Sequence, residues 1–178
     1  MIELFREIDQ RWGVPFTPKP ILHLIGAGAL IIQEPRHQRA TKDGDIYEAL
    51  PLEQPVQDRL LELAGRNSEI HVRLRLYVEI LHNGFPFLPQ LPVWHPIRSF
   101  AHFDLVALDI VDICVSKLIR FSADDREDID AMVQCNWDSW PMRRFSRAFV
   151  RQQRSSAWTH GPPNFRTSSP TSTRSRPT

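Results

Sequence analysis

Arg39-Ala40-Thr41-Lys42-Asp43-Gly44-Asp45 follows, a short way along the chain, a glycine turn at Gly26-Ala27-Gly28. The two acids are spaced i, i+2, so in an extended segment their side chains project from the same face. Carboxylates that close repel one another unless a cation lies between them. Mg²⁺ suits such a place, because it takes a few carboxylate oxygens together with substrate phosphates. A cation at that position points to phosphoryl chemistry. Arg39 and Thr41 share the alternating register, adding a cation and a hydroxyl to the same face. The competing reading is a solvated turn, since Lys42-Asp43-Gly44-Asp45 is rich in turn formers. Gly26-Ala27, just after an apolar run, lets backbone N–H groups approach a phosphate; tight strand-to-helix packing is the other use of such a turn. It is neither GxGxxG nor a P-loop.

Two further residues could join this chemistry. Glu79 lies within Leu76-Tyr77-Val78-Glu79-Ile80-Leu81, and an acid among apolar strand residues is costly unless paired or metal-bound. It is either a strand-end glutamate facing water or a third carboxylate beside Asp43 and Asp45. Lys117 lies in Asp112-Ile113-Cys114-Val115-Ser116-Lys117-Leu118. Its neighbours three and four positions away on a helix include no acid, so its own helix provides no ion pair. It is read as a surface lysine or as one that reaches phosphates or the acids. Asp125 and Asp128 read as caps and solvated-face charges, with a role in the site as the alternative. No HxxxH or HExxH pattern occurs, and His23 reads as a packed strand residue.

The elements that must position these groups follow from periodicity and from breakers. A helix is predicted over Ile2 to Arg11, stopped by Gly13-Val14-Pro15 and Pro18-Lys19-Pro20. Ile21 to Ile25 reads as a buried strand, Ala27 to Gln33 as a short helix, and Gly44 to Leu50 as the continuation of the acid-bearing strand. Pro55 to Leu63 has one apolar side and reads as a helix. From Glu69 to Leu81 the alternation of Ile70, Val72, Leu74 and Leu76 with His71, Arg73 and Arg75 predicts a single long strand. Asn83-Gly84 with Pro86, Pro89 and Pro92 marks a long loop. Phe103 to Ile110 is a predicted strand and Val111 to Phe121 a helix. A last helix runs from about Asp125 to Cys135, with Asp124 or Asp125 as its cap.

The 178 residues suit one domain, assigned to 1–150, with an apolar share of 42% and a charged share of 24%. The formal charge of +1 conceals an asymmetry. The last 28 residues hold five arginines and no acid, leaving 17 basic and 21 acidic residues before them. Such a body carries no broad basic footprint for nucleic acid. Residues 151–178, rich in Ser, Thr, Pro and Arg, cannot bury enough surface to order and are predicted to be a disordered tail. No apolar run reaches membrane-spanning length, and the N-terminus lacks the pattern of a secretory signal. Cys114 and Cys135 form no CxxC spacing. A cytoplasmic protein without a membrane partner is therefore expected.

Taken in order, Leu24-Ile25-Gly26-Ala27-Gly28-Ala29-Leu30, then Arg39 to Asp45, resembles the DUF6036 branch of the polymerase-β-like nucleotidyltransferases, relatives of the nucleotidyltransferase toxins of toxin–antitoxin systems. Leu76 to Leu81 with Phe85-Pro86-Phe87-Leu88-Pro89 is similar to that family's third-carboxylate strand and following loop. Asp112 to Lys117, then Asp125 to Ile129, is similar to its late lysine and acid helices. The resemblance implies an α/β (α+β) fold, with a small mixed sheet flanked by helices and a helical C-terminal part. It implies Asp43, Asp45 and Glu79 as catalytic residues holding Mg²⁺ or Mn²⁺. Gly26 and Ala27 would bind triphosphate, with Lys117 assisting; Arg39 and Thr41, placed on the acids' face by the alternating register, are further candidates for the phosphates. A nucleoside triphosphate would be substrate, RNA (tRNA) or protein the acceptor, and an antitoxin a partner. Ala27 stands where the superfamily usually has Gly or Ser, and Gly44 where an apolar residue usually separates the acids.

Overall fold

The structure is a computed structural model that describes residues 1–34, 40–82, 88–89, 91–136, 145–146 and 150. Among them the chain runs α1 (Ile2–Arg11), β1 (Ile21–Ile25), α2 (Gly26–Gln33), β2 (Asp43–Tyr47), α3 (Gln54–Ala64), α4 (Glu69–Leu74), β3 (Tyr77–Leu81), β4 (Trp94–Ser99), β5 (Asp104–Leu108), α5 (Ile110–Arg120) and α6 (Ala123–Asn136). The five strands form one sheet in the order β3-β2-β1-β5-β4. β1 is antiparallel to β2 and parallel to β5, β2 is parallel to β3, and β4 is antiparallel to β5. This is the α/β mixed fold expected. The predicted tail at 151–178 lies outside the described residues, as do Arg39 and the Asn83–Phe87 part of the predicted loop.

Strand register sorts side chains between the two faces of the sheet. Asp43 pairs with Tyr77, Asp45 with both Glu79 and Ile25, and Tyr47 with both Leu81 and His23. These residues therefore share one face. Behind them, Gly44, Ile46, Leu22 and Leu24 are buried. α1 covers this back face. Leu4, Phe5 and Ile8 are fully buried at helical spacing, and a Cβ on Gly44 would meet Met1 Sδ at 3.4 Å and Leu4 Cδ2 at 3.6 Å. Trp12 and Phe103, at 5.3 Å between ring centroids, close the same core.

Four expectations need correction. The single strand predicted from Glu69 to Leu81 is two elements, helix α4 and strand β3. The alternation fits a strand, but Ser68 caps a helix: its Oγ accepts from His71 N at 3.1 Å, with Glu69 in the first turn. Ile70 is then buried while Val72, on the same face of a would-be strand, is 60% exposed. Arg73 pairs with Glu7, and Arg11 with Glu69 at 3.0 Å, fastening α4 to α1. Arg75 ends the helix in the left-handed region, φ 59°, which turns the chain into β3. Second, β2 stops at Tyr47 rather than at Leu50. Third, β4 was missing from the prediction. It carries Pro96 and a register irregularity between Pro96 and Arg98, and it tolerates both because it is a sheet edge. Fourth, α6 is capped by Ser122. Asp125 N donates to Ser122 Oγ, while Ser122 N donates to Asp125 Oδ2 at 3.0 Å, a reciprocal box with Asp in the acidic position.

Candidate active site

β2 and β3 run side by side in the same direction, so Asp43, Asp45 and Glu79 meet where the register aligns them. One oxygen from each of the three carboxylates lies within 4.8 Å of the others, and all three residues are half-buried. Each ionised pair at that spacing costs about 1 to 4 kcal/mol, between a water-like and a protein-surface dielectric. Part of this is offset locally. Thr41 Oγ1 donates to Asp43 Oδ1 at 2.6 Å. Arg66, from the turn between α3 and α4, donates to Glu79 Oε1 through both Nε at 2.8 Å and Nη2 at 2.5 Å. The same guanidinium lies 4.4 Å over the Tyr77 ring. Glu79 accordingly holds Arg66 above its ordinary pKa, and burial, aided by the neighbouring acids, pushes the Tyr77 phenol up.

The glycine turn lies against this cluster. Gly26 opens α2 with φ +66°, a conformation that side chains disfavour, and a Cβ there would sit 2.7 Å from Asp45 Oδ2. Glycine is thus required twice, by the backbone angle and by the carboxylate. Gly26 and Ala27 at the start of α2 line a cleft of about 360 Å³ with Thr41 and the three acids, within the size range of ligand sites.

Lys117 lines the far wall of that cleft. It is only 5% exposed and is not a surface lysine. Although no neighbour three or four positions away on α5 is acidic, α6 supplies two acids: Lys117 Nζ donates to Asp128 Oδ2 at 2.5 Å and to Asp125 Oδ1 at 3.3 Å. Asp125 and Asp128 are fully buried and are not solvated-face charges, while Asp125 serves in the cap of α6. The ion triad, one ammonium between two carboxylates, fastens α6 to α5, and Asp124 and Asp128 line the cleft beside Lys117. Asp109 caps α5 by accepting from Val111 N at 2.8 Å, which fixes the helix that carries Lys117.

Of the residues singled out from the sequence, Gly26, Ala27, Thr41, Asp43, Asp45, Glu79, Lys117, Asp124 and Asp128 share one cleft. Arg39 lies outside the described residues. Arg66 was missed: it belongs to no motif, and only the pairing of β3 beside β2 brings its turn to the acids. Beyond the acids on the same face, His23 packs edge-on to Trp94 at 4.7 Å. Burial there lowers the His23 pKa, in keeping with its reading as a packed strand residue.

The donor set is chemically selective. Three carboxylates without a thiolate or imidazole suit a hard divalent cation that prefers oxygen, Mg²⁺ or Mn²⁺, rather than zinc. No helix among the described residues is long and apolar enough to cross a membrane. No family model, curated protein or solved structure matches the chain.

Proposed function

We propose that this protein is a nucleotidyltransferase, dependent on Mg²⁺ or Mn²⁺, that moves a nucleoside monophosphate from a nucleoside triphosphate to an RNA or protein acceptor. The observation that carries the reading is the meeting of Asp43, Asp45 and Glu79 in one cleft with the Gly26 turn and Lys117. An acidic cluster alone is common on protein surfaces. One that shares a cleft with the first residues of a helix and with a lysine is suited to a phosphate-bearing substrate carried in with metal.

In this reading Asp43, Asp45 and Glu79 hold the cation, which when bound supplies charge neutralisation at the phosphates and lowers the pKa of a coordinated hydroxyl. Backbone N–H groups at the start of α2 receive phosphate oxygens, helped by the positive end of the helix dipole. Lys117 stabilises the charge that develops on the departing pyrophosphate. The acceptor oxygen forms a bond to the α-phosphorus. The bond from that phosphorus to the bridging oxygen of the β-phosphate breaks with its electron pair, and the acceptor proton passes to a carboxylate of the cluster. The motif resemblance extends the proposal to a toxin module with an antitoxin partner.

The test is incubation of the protein with labelled nucleoside triphosphates, Mg²⁺ and tRNA, beside the Asp45→Ala variant. Label on RNA or on protein that drops by at least about a hundredfold in the variant is expected. Label that is indifferent to Asp45, or no label with any of the four nucleotides, refutes the enzyme. Metal-dependent nucleotide binding without transfer would favour a nucleotide-binding regulator on the same fold, and no binding an inactive interaction protein.

A further inference from the structure

Arg66 holds one oxygen of a carboxylate that belongs to the acid cluster. Its Nε and Nη2 both donate to a single oxygen, Glu79 Oε1, instead of spreading over the two carboxylate oxygens as the strongest guanidinium pairs do. The side chain is 63% exposed, so water competes for the pair and its net worth is small. The backbone beneath it is, by contrast, closely specified. A Cβ on Gly65 would meet Leu61 O at 2.5 Å, Asn67 sits at φ 68°, Asn67 N donates to His71 Nδ1 at 2.8 Å, and Ser68 caps α4. A rigid turn thus presents a loosely held cation at the outer strand of the sheet, over Tyr77 and next to the acids.

We propose that Arg66 is the resident counter-ion of the carboxylate cluster and exchanges Glu79 for the phosphates of the incoming nucleotide. The inference rests on the metal-site reading above. An arriving divalent cation competes with the guanidinium for Glu79 and repels it. The triphosphate then offers Arg66 a fork-shaped anionic partner that matches its geometry better than one carboxylate oxygen does. Cation and nucleotide binding are coupled through this side chain, and by linkage the coupling is reciprocal.

The experiment titrates Mn²⁺ alone into wild type, Arg66→Ala, Arg66→Lys and Asp45→Ala, reading free Mn²⁺ by electron paramagnetic resonance. An α,β-methylene nucleoside triphosphate is then titrated at saturating Mn²⁺. Loss of the competing guanidinium should tighten Mn²⁺ by about three- to tenfold in Arg66→Ala, while the triphosphate analogue binds about tenfold more weakly. Arg66→Lys, which keeps the charge without the fork, should fall between. A clip that merely fastens the turn to β3 would leave the triphosphate analogue bound as in wild type, so analogue affinity unchanged in Arg66→Ala overturns the proposal, as does Mn²⁺ affinity that is unchanged or weaker. If Asp45→Ala abolishes Mn²⁺ binding and Arg66→Ala leaves it untightened, only the role of Arg66 falls. If wild type binds no Mn²⁺, the metal-site reading falls and this inference with it.

Discussion

Replacing Gly26 by alanine should damage the metal site as well as the fold. The residue occupies the left-handed region at φ +66°, where a side chain costs about 1 to 2 kcal/mol. For a chain of 178 residues this corresponds to a fall in Tm of roughly 2 to 8 °C. The new Cβ would also lie 2.7 Å from Asp45 Oδ2, a separation that cannot persist. That oxygen is at the end of a rotatable side chain, so the overlap is relieved by swinging the carboxylate away, at little further cost in stability. Its consequence appears as a misplaced ligand, and losing one of three ligands should weaken Mn²⁺ by tenfold or more, about 1.4 kcal/mol. Gly13 supplies the control. It has φ +80°, and its nearest would-be neighbour is Arg59 Nη2 at 3.4 Å, a residue that does not line the cleft. Gly13→Ala should therefore carry a similar loss in urea unfolding and leave Mn²⁺ binding untouched. Mn²⁺ affinity in Gly26→Ala within about twofold of wild type, or an equal loss in both variants, would refute the reasoning.

Two further outcomes follow from buried charge. Lys117→Ala removes the ammonium from the buried Asp125 and Asp128 and should cost about 3 to 5 kcal/mol by urea denaturation, whereas the exposed Glu127→Ala should stay within about 0.5 kcal/mol; equal effects would mean that water reaches the triad. His23 has its pKa lowered by burial from an ordinary 6.5, so below that pH the unfolded chain binds a proton that the folded one does not. Its contribution is intact above pH 6.5, is lost progressively as pH falls from there to the lowered folded value, and then levels off. In the difference between wild type and His23→Gln, the carboxylate-bound His82, His95 and His102 are common to both proteins. That difference should shift in favour of His23→Gln between pH 7.5 and 5, and a flat difference would contradict it.

What could be read without coordinates divides along the range of the interactions. α1 and β1 were legible to the residue, because apolar spacing and the flanking glycine and prolines are local signals. The common face of Asp43 and Asp45 followed from the two-residue period of a strand. Glu79 was a candidate from the cost of an acid among apolar neighbours, but its place beside Asp45 needs strand pairing across more than thirty residues. α4 was misread because Ile70, Val72 and Leu74 satisfy a strand pattern while the deciding contacts, Glu7 with Arg73 and Glu69 with Arg11, come from a distant helix. Pro96 hid β4, since its meaning depends on whether a strand lies at an edge. Lys117 looked unpartnered because only its own helix was in view, and Arg66 gave no signal at all.

Gly44 gives the acid-bearing strand a second side. Its missing side chain lets Met1, Leu4 and Phe5 settle directly on the backbone between the two aspartates, with room for one methyl group and no more. The floor that supports the carboxylates is therefore tuned from the rear of the molecule. A bulkier residue at position 44, or at its partners on α1, would lever the first helix outward. Through Glu7, Arg11 and Asp9, which tie that helix to α4 and to the backbone at 101–102, the displacement would spread over the back layer. Anyone wishing to shift the spacing of the acids without altering a charge would do so there, from the dry side of the sheet.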